Sequence, residues 1–180
     1  RFEPTEEDFI FDEEVFGGAV PKNYFPAVEK GLEESLLEGP LAGFKVTGIK
    51  ATLYDGSYHP VDSNEQAFKS AARIAFKKGI EEADPILLEP VMKLEIRVPE
   101  THMGDIMGDM NKRRGRILGM DPQADGSQII IAEAPLAEVL TYAIDLRSQT
   151  SARGSFSMDF ERYEEVPKEI AQKVIEAHKE

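Results

Sequence analysis

The sequence predicts an α+β protein made of two α/β sandwich domains, the second of them ferredoxin-like. Three observations carry that expectation. Period-two alternation and helical spacing interleave along the 180 residues rather than segregating. The second half reads β-α-β-β-α-β in order. Between the halves, Asp84-Pro85-Ile86-Leu87-Leu88-Glu89-Pro90 sets two prolines around an apolar run, the composition of a linker leading into a strand. The length suffices for two small domains.

In the first half, Pro21 suits a first helical position, and Phe25, Val28, Leu32 and Leu36 recur at helical spacing until Gly39-Pro40. Strand-like sequence runs from Phe44 to Tyr54, with a change of parity at Gly48 that predicts a bulge. Asp55-Gly56-Ser57-Tyr58-His59-Pro60 reads as an exposed turn. Ser63 with Gln66 forms a capping-box pattern that opens a second helix, lined by Phe68, Ala71, Ala72, Ala75 and Phe76 and ending at Gly79.

In the second half, Met92, Leu94, Ile96 and Val98 alternate with Lys93, Glu95 and Arg97, the pattern of a half-buried strand. Met103, Ile106, Met107 and Met110 follow at helical spacing, a core stripe, with Gly115 as the C-cap. Residues 116–120 and 128–134 are two strands joined through Asp125-Gly126, a hairpin signal. Pro135 starts a helix carrying Leu136, Val139, Leu140, Ala143 and Leu146. Phe156, Met158 and Phe160 alternate in a last strand, and a terminal helix follows from Pro167 with Ile170, Val174 and Ala177 on one side.

Composition narrows the function. The net charge is −13, so a free-standing RNA-binding domain of the usual basic kind is disfavoured, and any RNA contact must use local features. There is no cysteine, which excludes disulfides and thiolate chemistry and fits a cytoplasmic protein. No apolar run reaches the roughly 18 residues of a membrane span, and Arg1-Phe2-Glu3-Pro4-Thr5-Glu6 is no signal peptide. The opening without Met reads as part of a longer protein. No Gly-x-x-x-x-Gly-Lys-Ser/Thr loop, Gly-x-Gly-x-x-Gly run or Gly-x-Ser-x-Gly elbow occurs. His59, His102 and His178 lie far apart without metal-ligand spacing. No catalytic, cofactor-binding or metal-binding residue is therefore expected.

Several segments, in order, resemble elongation factor G. Tyr54-Asp55-Gly56-Ser57-Tyr58-His59-Pro60-Val61-Asp62-Ser63 is similar to a signature of that family's fourth domain. Residues 17–28 look like its first helix with the approach to it, and Gly39-Pro40-Leu41-Ala42-Gly43 like the loop after it. Residues 88–93 resemble the start of domain five, residues 103–115 its first helix, and Ala134-Pro135-Leu136-Ala137-Glu138 with Asp145-Leu146-Arg147-Ser148 its second. The resemblance implies domain four over 1–86, with a ribosomal-protein-like split β-α-β fold truncated at its N-terminus. It implies domain five over 87–163 and a helix over 164–180 packing towards domain four.

The same resemblance implies a non-catalytic part of a ribosome-dependent GTPase, whose GTP and Mg would sit in a domain absent here. The implied function is translocation of tRNA and mRNA, with domain four reaching the decoding site and domain five near the stalk base and the sarcin-ricin loop. Implied partners are the ribosome, its RNA, the tRNA–mRNA pair and the rest of the GTPase chain, with no membrane.

His59 matches the family's tip histidine, and an imidazole can bond a ribose hydroxyl or phosphate or stack on a base. Gly56 is read as a positive-φ turn residue, Ser57 as a phosphate donor, and Tyr58 as either an RNA-stacking or an inward-packed ring. Asp55 and Asp62 shape the turn. Pro60 departs from the acidic residue common after that histidine and points towards a paralogue. Lys112, Arg113, Arg114 and Arg116 are candidates for large-subunit RNA, or else simply cations suited to a helix C-terminus. Alternatives are a paralogue in ribosome recycling or protection, and, in a different class, a ferredoxin-like ligand-binding or interaction module with a deep pocket.

Overall fold

A computed structural model describes residues 1–179. It divides into two compact units, Arg1–Ile86 with the segment from Pro167, and Leu87–Val166.

The first unit holds β1 (Phe2–Pro4), β2 (Phe9–Glu13), α1 (Phe25–Leu36), β3 (Ile49–Leu53), α2 (Glu65–Glu82) and α5 (Lys168–Lys179). Its sheet has the order β1-β3-β2, with β1 antiparallel and β2 parallel to β3. A parallel pair needs a crossover, and α1 supplies it. Val28, Leu32, Leu36, Ala51, Ala72, Phe76 and Ile80 make the core. α1 and α2 meet at Gly31, where a Cβ would stand 2.6 Å from the Lys69 carbonyl oxygen.

The second unit holds β4 (Leu88–Pro99), α3 (Met103–Lys112), β5 (Arg116–Pro122), β6 (Ser127–Pro135), α4 (Tyr142–Gln149) and β7 (Ser155–Glu165). Its antiparallel sheet runs β5-β6-β4-β7, the ferredoxin-like arrangement. Leu94, Ile96, Val98, Ile106, Met110, Ile130, Ala132, Tyr142 and Leu146 form a fully buried core. Pro90 fits inside β4 because the β6 ladder begins only at Val91.

Several local expectations give way to the structure. The strand read over 44–54 spans only Ile49–Leu53. Gly48 (φ +77°) is a hinge ahead of it rather than a bulge within it, held by Thr5 N–H donating to its carbonyl and its own N–H donating to Asp8. Residues 44–46 turn back instead to the end of α1, where Val46 N–H donates to Leu36. Pro21 precedes a single 3-10 turn, and α1 begins at Phe25 with Pro26 in its first turn.

Asn64, not Ser63, caps α2, its side chain accepting from Ala67 N–H. Gly79 does not end α2; it makes room for the Phe2 ring, and the helix continues to Glu82. Pro135 closes β6, and α4 starts only at Tyr142, which takes the buried place expected of Ala143. The short strands β1 and β2 carry too few residues for a periodic signal that would fix their bounds. α5 turns Ile170 and Val174 partly inward, but Ala177 is exposed.

Candidate nucleic-acid interface

β2 and β3 run parallel and stop together, with Glu13 opposite Leu53 and Glu14 N–H donating to the Leu53 carbonyl at 2.8 Å. Residues 14–20 and 54–64 therefore leave the sheet at the same end. The 54–64 loop is fastened by short polar contacts. Asp55 Oδ1 accepts from Gly56 N–H at 2.8 Å. His59 N–H donates to Ser63 Oγ, and Ser63 N–H returns to the His59 carbonyl, both at 2.9 Å. That reciprocal pair closes residues 59–63 into a ring beside the N-terminus of the 18-residue α2, the positive end of its dipole.

Ser57 and His59 are exposed, and neither side chain has a hydrogen-bond partner among the described residues apart from the backbone closure. Tyr58 packs back: its ring lies 5.8 Å from Tyr24, which stacks on Phe68 at 4.6 Å, leaving Tyr58 40% exposed. Gly56 corrects the sequence expectation, because its φ is not positive. It is small because the loops touch there, a Cβ falling 2.6 Å from Cγ2 of the buried Val20. In sequence, residues 17–20 resemble only the approach to the first helix. The signal that the 14–20 loop serves the same end is the Gly17-Gly18 pair, both at positive φ.

The basic run behaves differently. α3 ends in a Schellman motif, in which Arg114 N–H donates to Asn111 and Gly115 N–H to Met110. The left-handed residue is Arg114 (φ +57°), not Gly115, whose missing Cβ admits Met110. Arg113 donates to Asp109 (2.8 Å), Asp145 (2.8 Å) and the Glu138 carbonyl (2.8 Å), and lies over the Tyr142 ring. Burial disfavours its charge, but the two carboxylates outweigh that and raise its pKa.

Arg114 grips Glu89 through two bonds of 2.7 and 2.9 Å and Glu138 at 3.1 Å, and the Glu89 bonds push its pKa up. Arg116 reaches Glu133 and Glu164, beside Arg162, which holds the Glu133 carboxyl below its usual range. Lys112 is exposed with no ion pair among the described residues. Of the four cations, Arg113, Arg114 and Arg116 are ion-paired within the fold and Lys112 is not, among the described residues. An open hollow beside Lys112, lined by Gly104, Asp105, Gly108, Asp109 and Gln149, is shallow rather than enclosed. Among the described residues no cluster of His, Asp or Glu could hold a metal ion, and no helix is long and apolar enough to cross a membrane.

Residues 1–84 match the family model described as elongation factor G, domain IV, and residues 86–174 the model described as elongation factor G C-terminus. The chain belongs to the elongation factor G family. A crystal structure of a protein from Thermus thermophilus is similar over 99% of this chain, with a TM-score of 0.90 and 43% identity. The chain spans 27% of that protein's length. In elongation factor G terms, the 54–64 loop falls within the domain IV match and the basic run within the C-terminal match. The C-terminal match extends past Val166 into α5, although α5 belongs to the compact unit of residues 1–86.

Proposed function

We propose that this chain is the ribosome-facing arm of a translocating elongation factor G-type GTPase. On this reading, the end of the first unit that carries His59 and Ser57 enters the decoding site and contacts tRNA and mRNA. The supporting observation is the 54–64 loop itself: it is anchored by the His59–Ser63 ring, yet it leaves the His59 imidazole and the Ser57 hydroxyl exposed without internal partners. An anchored loop with unengaged imidazole and hydroxyl groups can bond ribose hydroxyls and phosphates without first breaking internal bonds. Lys112 and the half-exposed Arg116 are proposed for the large-subunit RNA near the stalk base. GTP and Mg would be held by parts of the parent protein outside this chain, which itself turns nothing over. The setting is the cytoplasm.

The test is single-round translocation by the parent protein with His59→Ala and Ser57→Ala, alongside ribosome-stimulated GTP hydrolysis. Loss of one hydrogen bond to a charged partner is expected to slow translocation by about tenfold or more, with hydrolysis intact. Unchanged translocation in both variants would sink the reading. Pro60 favours a second one, a paralogue acting in ribosome recycling or protection. In that case the wild-type parent splits or protects ribosomes and fails to translocate.

A further inference from the structure

Phe16 is 93% exposed, on the loop that leaves the sheet beside the His59 loop. Of the other aromatic side chains at this end, Tyr24 packs against both Tyr58 and Phe68, whereas Phe16 and the half-exposed Tyr54 have no ring partner among the described residues, and Phe16 is much the more exposed of the two. An isolated exposed apolar residue needs no explanation on its own. Here the backbone itself holds the ring out. Gly17 (φ +67°) and Gly18 (φ +72°) take two successive left-handed conformations, and Ala19 N–H folds back to the Phe16 carbonyl at 3.5 Å. Val20 then buries itself against Gly56, which ties the loop to its neighbour.

The surroundings favour one kind of occupant. Glu13, Glu14, Asp55 and Asp62 flank the two loops, so phosphates are not drawn here by charge. The groups on offer are neutral: the Phe16 ring, the nearby exposed Val61, and the Gly17 and Gly18 amides, which have no acceptor among the described residues. Aromatic faces stack on unpaired bases of any sequence, and backbone amides bond phosphate oxygens without a cation.

We infer that Phe16 is an RNA-stacking residue that acts beside His59, placing its ring on an unpaired base while the Gly17 and Gly18 amides bond the adjoining phosphate. The inference rests on the proposed decoding-site function and adds a residue and a contact chemistry to it. The stack supplies an uncharged part of the contact that an acidic domain makes with RNA.

The experiment uses the parent protein and programmed ribosomes, comparing Phe16→Ala, Phe16→Leu and Phe16→Trp in single-round translocation, with His59→Ala in parallel. Loss of one stacked base predicts a slowing of about tenfold for Phe16→Ala. Phe16→Trp should restore the rate to within about twofold, and Phe16→Leu should not, because a branched aliphatic side chain has no π face. Gly17→Ala meets no atom within 4 Å, so a slowing there reports the backbone conformation alone.

The salt dependence of ribosome binding should keep the same slope in Phe16→Ala, because stacking releases no counterions. Thermal melting should not move in any Phe16 variant, since the ring is almost wholly in solvent. Rescue by Phe16→Leu would mean an apolar protein pocket and overturn the inference. A normal rate in Phe16→Ala with a slowed His59→Ala would overturn it while leaving the proposed function standing. Normal rates in both, with Ser57→Ala normal too, would remove the proposed function as well.

Discussion

The loop between β3 and α2 and the turn between α3 and β5 are both polar connections, and they treat their side chains in opposite ways. In the α3–β5 turn, every guanidinium is engaged. Arg113 and Arg114 between them hold Asp109, Asp145, Glu138 and Glu89. In the β3–α2 loop, hydrogen bonds are confined to the backbone and to Asp55, Ser63 and Asn64, while His59 and Ser57 are exposed and unengaged. Arg113 and Arg114 are therefore committed to ion pairs within the fold, and the His59 and Ser57 side chains are left available. In an acidic protein, a local basic run is surrounded by carboxylates ready to pair with it, so charge density along the sequence does not by itself show which cations are free.

The largest expected effect tests the structural side of that contrast. Arg114→Ala removes both bonds to Glu89, a carboxylate that is only 14% exposed, and leaves it without its partner. The expected loss is about 2 kcal/mol in urea unfolding, below the value for a fully buried pair because Arg114 reaches solvent. Arg114→Gly should lose about 1 kcal/mol less than the alanine variant, because glycine adopts φ +57° without strain. If both variants unfold like wild type, the guanidinium is free and belongs with the candidate RNA contacts after all.

Gly56→Ala comes next and probes the seam between the two loops. A Cβ there meets Cγ2 of Val20, a stiff, buried, β-branched side chain with nowhere to turn. The expected cost is about 1–2 kcal/mol, and it should be accompanied by slower translocation, since both loops must shift. A stability change with normal translocation would separate the seam from the function.

How far the sequence reveals these features depends on the range over which each cause acts. The ferredoxin-like half is legible because β4, α3 and β6 are long enough for period and burial to agree, from Met92 to Val98 and from Met103 to Met110. The first half is less so. β1 and β2 are 3 and 5 residues long and gain their identity only by pairing with β3. At the candidate site, the turn containing His59 is visible as a run of turn formers. The reason for the small size of Gly56 and the commitment of Arg113 and Arg114 are not, because they depend on Val20, Glu89 and Asp145, residues distant in sequence. Glycine spacing points to Gly115 as the left-handed residue after α3. In the structure Arg114, one position earlier, takes that conformation, and its side chain is paired with Glu89.

A smaller effect belongs to Ser63→Ala. It removes the hydroxyl that accepts from His59 N–H but keeps Asn64 as the helix cap. The bond is exposed, so unfolding should change by less than about 1 kcal/mol. The readout is amide exchange at His59, which should accelerate while exchange within α2 stays slow. Unchanged exchange would mean that the ring over 59–63 does not order the loop, and the pre-set geometry proposed for His59 would lose its basis.

The smallest effect sharpens the comparison with a loop in the second unit that also uses a serine for closure but adds a charge. In the β5–β6 hairpin, Asp125 accepts from the Ser127 hydroxyl and N–H and from Arg97, and these bonds, the serine's first, lower its pKa to about 2. A carboxyl whose folded pKa lies below its unfolded value of 3.8 stabilises the fold above that value and stops doing so as pH falls towards 2. Wild type should therefore lose a small increment of stability between about pH 4 and pH 2. Asp125→Asn, which keeps an acceptor for Ser127 but cannot ionise, should lack that increment at neutral pH and converge with wild type by about pH 2. The urea midpoint measured across that window decides the matter. Parallel curves for the two proteins would mean that the carboxylate is solvated rather than paired, leaving the hairpin no more charge-dependent than the neutral closure at His59 and Ser63.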